Sequence, residues 1–181
     1  MISLINRRRD YRLGFAGERA VAEELNQLML DGCRVFHDVP MEPYGNIDHV
    51  LVAPTGIYAV ETKARRKRKM SAGKRDHEVV FDGKILQFPG ATDSRSLDQA
   101  RQQADWLRVF LSGAVGEPVK VQAIVTLPGW FVTSRVKADI KVLNPKGIRA
   151  AVVDGRLPTL PKQLNERVAY QLDQKCRDVD F

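Results

Sequence analysis

Between residues 13 and 30 the apolar side chains Val21, Leu25 and Leu28 return every three or four positions among polar ones, and Gly32 follows. That spacing predicts an amphipathic helix with the glycine as its C-terminal stop. The period then changes. Residues 34–39, 47–53 and 57–63 are short runs rich in Val, Ile and Tyr, and only Pro54-Thr55-Gly56 separates the last two, so three strands in a meander are predicted. Val79, Val80 and Phe81 then flank Asp82-Gly83 with Ile85, Leu86 and Phe88, which predicts a hairpin closed by a two-residue turn. The stretch Pro89 to Ser96 reads as a loop. Leu97, Ala100, Ala104, Leu107 and Leu111 mark a helix over 97–112 that Gly113 should end. Residues 119–127, largely apolar between two prolines, suit a buried strand, and 140–143 a shorter one. Leu164, Val168 and Leu172 predict a closing helix over 161–176 with Pro161 at its first position.

This order of elements predicts an α/β fold: a mixed β-sheet flanked by helices, with an αβββαβ core and a C-terminal helix. A chain of 181 residues suits one domain, and no linker divides it. Residues 1–12 read as a basic N-terminal segment, and 13–181 as a single domain with a C-terminal helical extension. Hydrophobic residues at 44% and charged residues at 28% exclude disordered and fibrous classes. Cys33 and Cys176 form no CxxC spacing, which argues against a disulfide framework or a thiolate zinc site and for a reducing cytoplasm. His37, His49 and His77 show no metal-binding spacing either, so any metal would be held by oxygen. No apolar run approaches the roughly 20 residues of a membrane span, and the start is too polar for a signal peptide. Arg7, Arg8 and Arg9 would nevertheless suit the cytoplasmic flank of a membrane helix lying before Met1, which keeps a tether to an anionic membrane surface as an alternative.

The net charge of +7 is concentrated. Arg65, Arg66, Lys67, Arg68, Lys69, Lys74 and Arg75 lie within one stretch free of acids; without these seven, 22 bases face 22 acids. The run follows directly on the strand that carries the candidate chemistry, so phosphates drawn to it would lie beside that strand. The bland alternative is a solvated loop.

If Ala53-Pro54-Thr55-Gly56 closes the hairpin with Ala53 opposite Gly56, paired residue numbers sum to 109 and Asp48 stands opposite Glu61 on one face. Lys63 shares that face, and Tyr58, Val60 and Thr62 point the other way. Two carboxylates directly opposed repel, which calls for a counter-charge: Lys63 in a cross-strand ion-pair ladder, or a hard divalent cation such as Mg²⁺ or Mn²⁺. Glu18 falls on the apolar face of the first helix, where an unpaired carboxylate is costly, and Gly14 and Gly17 would let that helix come close; the alternative is an ordinary helix charge. Gln99 is either part of this cluster or the capping partner of Ser96 in an S-x-x-Q box. His49, on the face opposite Asp48, reads as structural.

Gly17-Glu18, the run from Asn46 to Val52 (NIDHVLV), the run from Pro54 to Lys63 (PTGIYAVETK) and Gln99 together resemble the nuclease-related domain (NERD) family of the PD-(D/E)XK, or restriction-endonuclease-like, superfamily. The resemblance covers roughly residues 14–113, and Ile47 stands where the superfamily motif carries proline. It implies Asp48, Glu61 and the Thr62 main-chain carbonyl as metal ligands, Lys63 orienting a water, and Glu18 and Gln99 supporting metal and water. The implied activity is divalent-metal-dependent hydrolysis of phosphodiester bonds in nucleic acid, DNA ahead of RNA. The alternative is a catalytically weak nucleic-acid-binding or membrane-tethered adaptor module on the same fold.

Overall fold

The computed structural model describes residues 2–67, 76–154 and 156–177, with side chains from Arg8 onward. The bases Arg68, Lys69, Lys74 and Arg75 and the side chain of Arg7 lie outside the described residues. Helix α1 runs over Ile2–Gln27 and tightens into a 3-10 turn at Leu28–Asp31. It ends at Gly32 (φ 80°), whose N–H returns to Met29 O at 3.2 Å. The predicted stop is therefore correct, but the helix starts about three turns earlier, because the arginine-rich segment has no helix breaker.

The strands β1 (Arg34–Pro40), β2 (Asn46–Ala53) and β3 (Gly56–Thr62) form the predicted antiparallel meander, with Ala53 paired to Gly56 and Val50 to Ala59. Parallel to β3 lies β7 (Val121–Thr126), and beyond it β9 (Ile140–Leu143), giving a five-stranded mixed sheet in the order β1-β2-β3-β7-β9. A parallel neighbour requires a crossover. Helix α2 (Arg95–Val115) supplies it on the way from β3 to β7. Its predicted end is corrected: the helix passes through Gly113 and stops at Gly116, which has the left-handed φ of 75° that a C-terminal cap needs.

A second, four-stranded sheet sits between these elements. β4 (Glu78–Phe81), β5 (Leu86–Phe88), β6 (Ala91–Asp93) and β8 (Phe131–Ser134) lie in the order β6-β5-β4-β8. Two expectations fail here. The hairpin is closed by four residues, Asp82 to Ile85: Asp82 keeps a negative φ, and its carboxylate accepts the Lys84 and Ile85 N–H groups at 2.9 Å, so the Asp side chain makes the turn instead of a two-residue backbone turn. The expected loop after Phe88 contains β6, which pairs back onto β5. Helices α3 (Pro145–Val152) and α4 (Lys162–Arg177) close the chain.

Both faces of the main sheet are covered. Val50, Val52, Ile57, Ala59 and Val125 pack with α2 and α4; Leu51, Tyr58, Val60 and Ile124 pack with α1 and α3. No described helix is long and apolar enough to cross a membrane. α1 reaches the far end of β3 closely: a Cβ at Gly17 would fall 2.5 Å from the Ala64 Cβ and 3.5 Å from Pro128. Gly17→Ala is therefore expected to lower stability by about 1–3 kcal/mol, because the backbone at Ala64 must move, despite the helix propensity that alanine adds. Urea unfolding checks this, and Gly17→Ala combined with Ala64→Gly should recover most of the loss.

Candidate active site

The β2–β3 ladder runs from Ala53–Gly56 to His49–Val60 and stops there. One step beyond, Asp48 and Glu61 face each other as the register demands. The Thr62 N–H donates to Asp48 Oδ2 at 2.7 Å, so Asp48 reaches across the hairpin to hold the end of β3. Glu61 is only 4% exposed. Its Oε2 accepts from Gln99 Nε2 at 2.9 Å and from Gln103 Nε2 at 2.8 Å, two amides one turn apart on α2. The Gln103 Oε1 and the hydroxyls of Thr62 and Thr126 are buried with no hydrogen-bond partner among the described residues.

Burial sets the electrostatics. It pushes the Glu61 carboxyl up to about 8, with the Asp48 charge adding to the rise and the Gln103 amide and Lys63 opposing it. Asp48 is pushed to about 6, again first by burial; the Thr62 N–H and Lys63 pull it down, while Glu18 and Asp38 push it up. Glu18 itself is raised, by burial and then by Asp38. Glu18, on α1, thus lies within electrostatic reach of Asp48 and Glu61, where the sequence placed it. Lys63 is half-buried next to them, its N–H bonded to Thr126 O at 2.9 Å.

Gln99 does not cap its helix. Ser94 occupies the N-cap position, Ser96 is bonded to Asp93 instead, and the Gln99 amide goes to Glu61. Thr62 projects its side chain to the α1 face. His49 is buried and structural: its Nδ1 lies 2.8 Å from His37 Nδ1, and His37 Nε2 lies 3.1 Å from Asn26 Oδ1.

Two contributors escaped the sequence. Gln103 could have been found from its spacing, four residues after Gln99 on the same face of one helix. Asp38 falls opposite Asp48 in the β1–β2 register, in which Pro40 pairs with Asn46 and His37 with His49; it sits there with φ 50°, the only described residue other than glycine in the left-handed region.

Of the basic run, Arg65 is engaged in packing: its guanidinium lies 4.5 Å over the Phe88 ring, and its carbonyl accepts the Trp130 indole N–H at 3.3 Å. Arg66 pairs with Asp10 at 3.0 Å, and Lys67 is exposed.

The donor set can be tested against the metal that the sequence implied. Two carboxylates carrying buried, mutually repelling charge, with no soft ligand nearby, fit a hard cation of the Mg²⁺ or Mn²⁺ kind. Among the described residues no group of three or more His, Cys, Asp or Glu side chains is placed to hold a metal ion by itself. The fit is thus to an ion that keeps waters and takes further oxygens from a main-chain carbonyl or a phosphate.

The chain is an α/β domain that gathers an aspartate, a Glu-x-Lys strand and two glutamine amides at the end of a mixed sheet. It belongs to the nuclease-related domain (NERD) family, whose model matches residues 13–128, from the middle of α1 to just past β7. No curated protein and no solved structure matches the chain.

Proposed function

We propose that this protein hydrolyses phosphodiester bonds of nucleic acid, DNA ahead of RNA, in a divalent-metal-dependent reaction at Asp48, Glu61 and Lys63. The observation that carries the reading is the facing pair Asp48 and Glu61, held up to about 6 and about 8 first by burial, with Glu18 and Asp38 adding to the rise at Asp48 and the Asp48 charge to the rise at Glu61. Such a pair is stable as a dianion at neutral pH only with added positive charge. Asp48, Glu61 and the Thr62 carbonyl would hold Mg²⁺ or Mn²⁺, with Glu18 supporting from α1. When bound, the ion supplies Lewis acidity toward a phosphoryl oxygen and a more acidic water. Gln99 and Gln103 fix the rotamer of Glu61, and the Lys63 ammonium orients the attacking water. The test is a panel of plasmid, linear duplex, single-stranded DNA and RNA with Mg²⁺ or Mn²⁺. Wild type should cleave at least one substrate and Lys63→Ala none; equal rates would remove the assignment. A nucleic-acid-binding module without turnover is the second reading: Arg66 and Lys67 are exposed beside the site, and a wild type that binds these substrates but cleaves none of them would select it.

The basic run is proposed to contact phosphates. If about four of its bases neutralise phosphates, log affinity should fall with log salt at a slope of about −3.6 on duplex and about −2.8 on single strands. Because Arg65 and Arg66 have partners within the fold, the informative variant replaces Lys67, Arg68 and Lys69 by Gln. It should flatten the slope and leave Mn²⁺ binding intact; an unchanged slope would show the run to be a bystander.

A further inference from the structure

The N-terminal half of α1 carries an exposed stripe that leads to the site. Arg8, Tyr11, Phe15 and Glu18 follow one another at intervals of three and four residues, so they share one side of the helix. The lower end of that side is placed by Glu18, whose charge acts on Asp48 and Glu61, while the opposite side of the helix packs at Gly17 against Ala64, immediately after Lys63. From there the stripe climbs away from the carboxylates through two large rings that face solvent, Phe15 at 60% and Tyr11 at 78% exposure. Among the described residues neither ring meets an aromatic or cationic partner. Arg8, Arg9 and Arg12 are exposed around them. On the other flank of α1 a groove of about 540 Å³ is lined by Asp10, Leu13, Ala64, Arg65, Arg66 and Lys67.

We infer that this stripe is a stacking platform for single-stranded nucleic acid, in which Tyr11 and Phe15 take unpaired bases and Arg8 and Arg12 hold the backbone that runs down to Asp48 and Glu61. It rests on the nucleic-acid reading above and narrows its substrate class. Exposed flat rings among cations are what unpaired bases bind, whereas the bases of an intact duplex are already stacked on each other. Four residues of helix set the backbone positions of Tyr11 and Phe15 about 6 Å apart along the axis, close to two stacking steps of about 3.4 Å, a spacing that suits one base between the two rings. A membrane surface matches less well. An interfacial helix needs a broad apolar face, and the exposed positions of α1 from Arg8 to Ala20 offer these two rings and the small Ala16 and Ala20 among Arg8, Arg9, Asp10, Arg12 and Arg19.

The test is binding in EDTA, where no turnover occurs, of a labelled oligothymidine and of a duplex of the same length, read by fluorescence anisotropy. Tyr11→Ala combined with Phe15→Ala should weaken single-strand binding roughly ten-fold or more and duplex binding by less than about two-fold; Tyr11→Phe should bind as wild type. A thermal melt should be unchanged, since both rings are exposed. Equal losses on the two ligands, or no loss on the single strand, would overturn the inference. So would loss of co-sedimentation with phosphatidylserine vesicles in the double variant while oligonucleotide binding persists, which would assign the rings to a membrane. A wild type that binds single strands through these rings but cleaves nothing would sink the hydrolytic reading alone. A wild type that cleaves while its single-strand affinity ignores both rings would sink only this one.

Discussion

Glu61→Gln is expected to lower cleavage at least about a hundred-fold, beyond the 10- to 100-fold typical of changes behind a metal ligand, while the metal-free protein becomes more stable at pH 8. The two effects share a cause. Burial and then Asp48 raise Glu61 from 4.5 to about 8, so the folded state prefers the protonated acid and the unfolded chain the carboxylate. Stability from this group is complete below about 4.5 and is lost as pH rises toward 8. Below pH 6.5 the picture is mixed, because burial depresses His49 to about 4 and also lowers His37, which removes stability as pH falls. Between pH 6.5 and 8 Glu61 dominates. Wild type should lose about 2 kcal/mol over that interval, a fall in Tm of about 4–8 °C, and Glu61→Gln should show a flat profile. A wild-type Tm that is level from pH 6.5 to 8 would remove the argument. Asp48 differs in one respect. Asp48→Ala should abolish cleavage too, but it leaves the Thr62 N–H without its acceptor at a cost of about 1–3 kcal/mol, so it should not stabilise as Glu61→Gln does.

Mn²⁺ binding is expected to tighten steeply with pH and to release protons. A carboxylic acid must ionise before it ligates, so affinity should drop about ten-fold per pH unit from 8 down to 6, where only Glu61 is protonated, and faster below 6, where Asp48 joins it. Calorimetry at several pH values in two buffers of different ionisation enthalpy measures both affinity and proton release. Asp48→Asn combined with Glu61→Gln should bind no ion. Pair repulsion relieved by the cation also predicts that Mn²⁺ raises Tm at pH 8, by about 2.7 kcal/mol of added stability at a hundred times Kd. Binding that is the same at pH 6 and 8 would show that Glu61 is not a ligand.

The hairpin was legible because its turn is short and its strands alternate: once Ala53 faces Gly56, every later pair follows, and a one-residue slip would turn Asp48 and Glu61 to the other face. Glu18 was legible because one carboxylate interrupted an apolar stripe. What escaped is either too short to show a pattern or depends on partners distant in sequence. β6 and β8 have three and four residues, too few to show a period, and β8 exists through its parallel pairing with β4 some fifty residues earlier. Gly113 looked like a stop, but only Gly116 adopts the left-handed conformation, a choice made by where α2 must turn toward Val119. Gln99 was ambiguous because a capping box and an inward-facing amide share the same letters; burial of Glu61 beneath α2 resolves it. Asp38 could be placed only once β1 was in register with β2.

The ladders on either side of β2 both omit Asp48: β1 pairs with residues 46, 47, 49, 50, 51 and 52, and β3 with 49 to 53. The carboxylate is thus mounted on a residue whose main chain neither ladder pairs, held across the hairpin through the Thr62 N–H, in line with the left-handed kink at Asp38 across from it. In native-state hydrogen exchange the amides around Asp48 should open far more readily than those at Val50 to Val52, a local breathing mode inside an otherwise locked sheet. Such looseness would let the two acids draw apart when charged and close around the proposed cation, so protection at this one point should rise when Mn²⁺ is added while the rest of β2 exchanges as before.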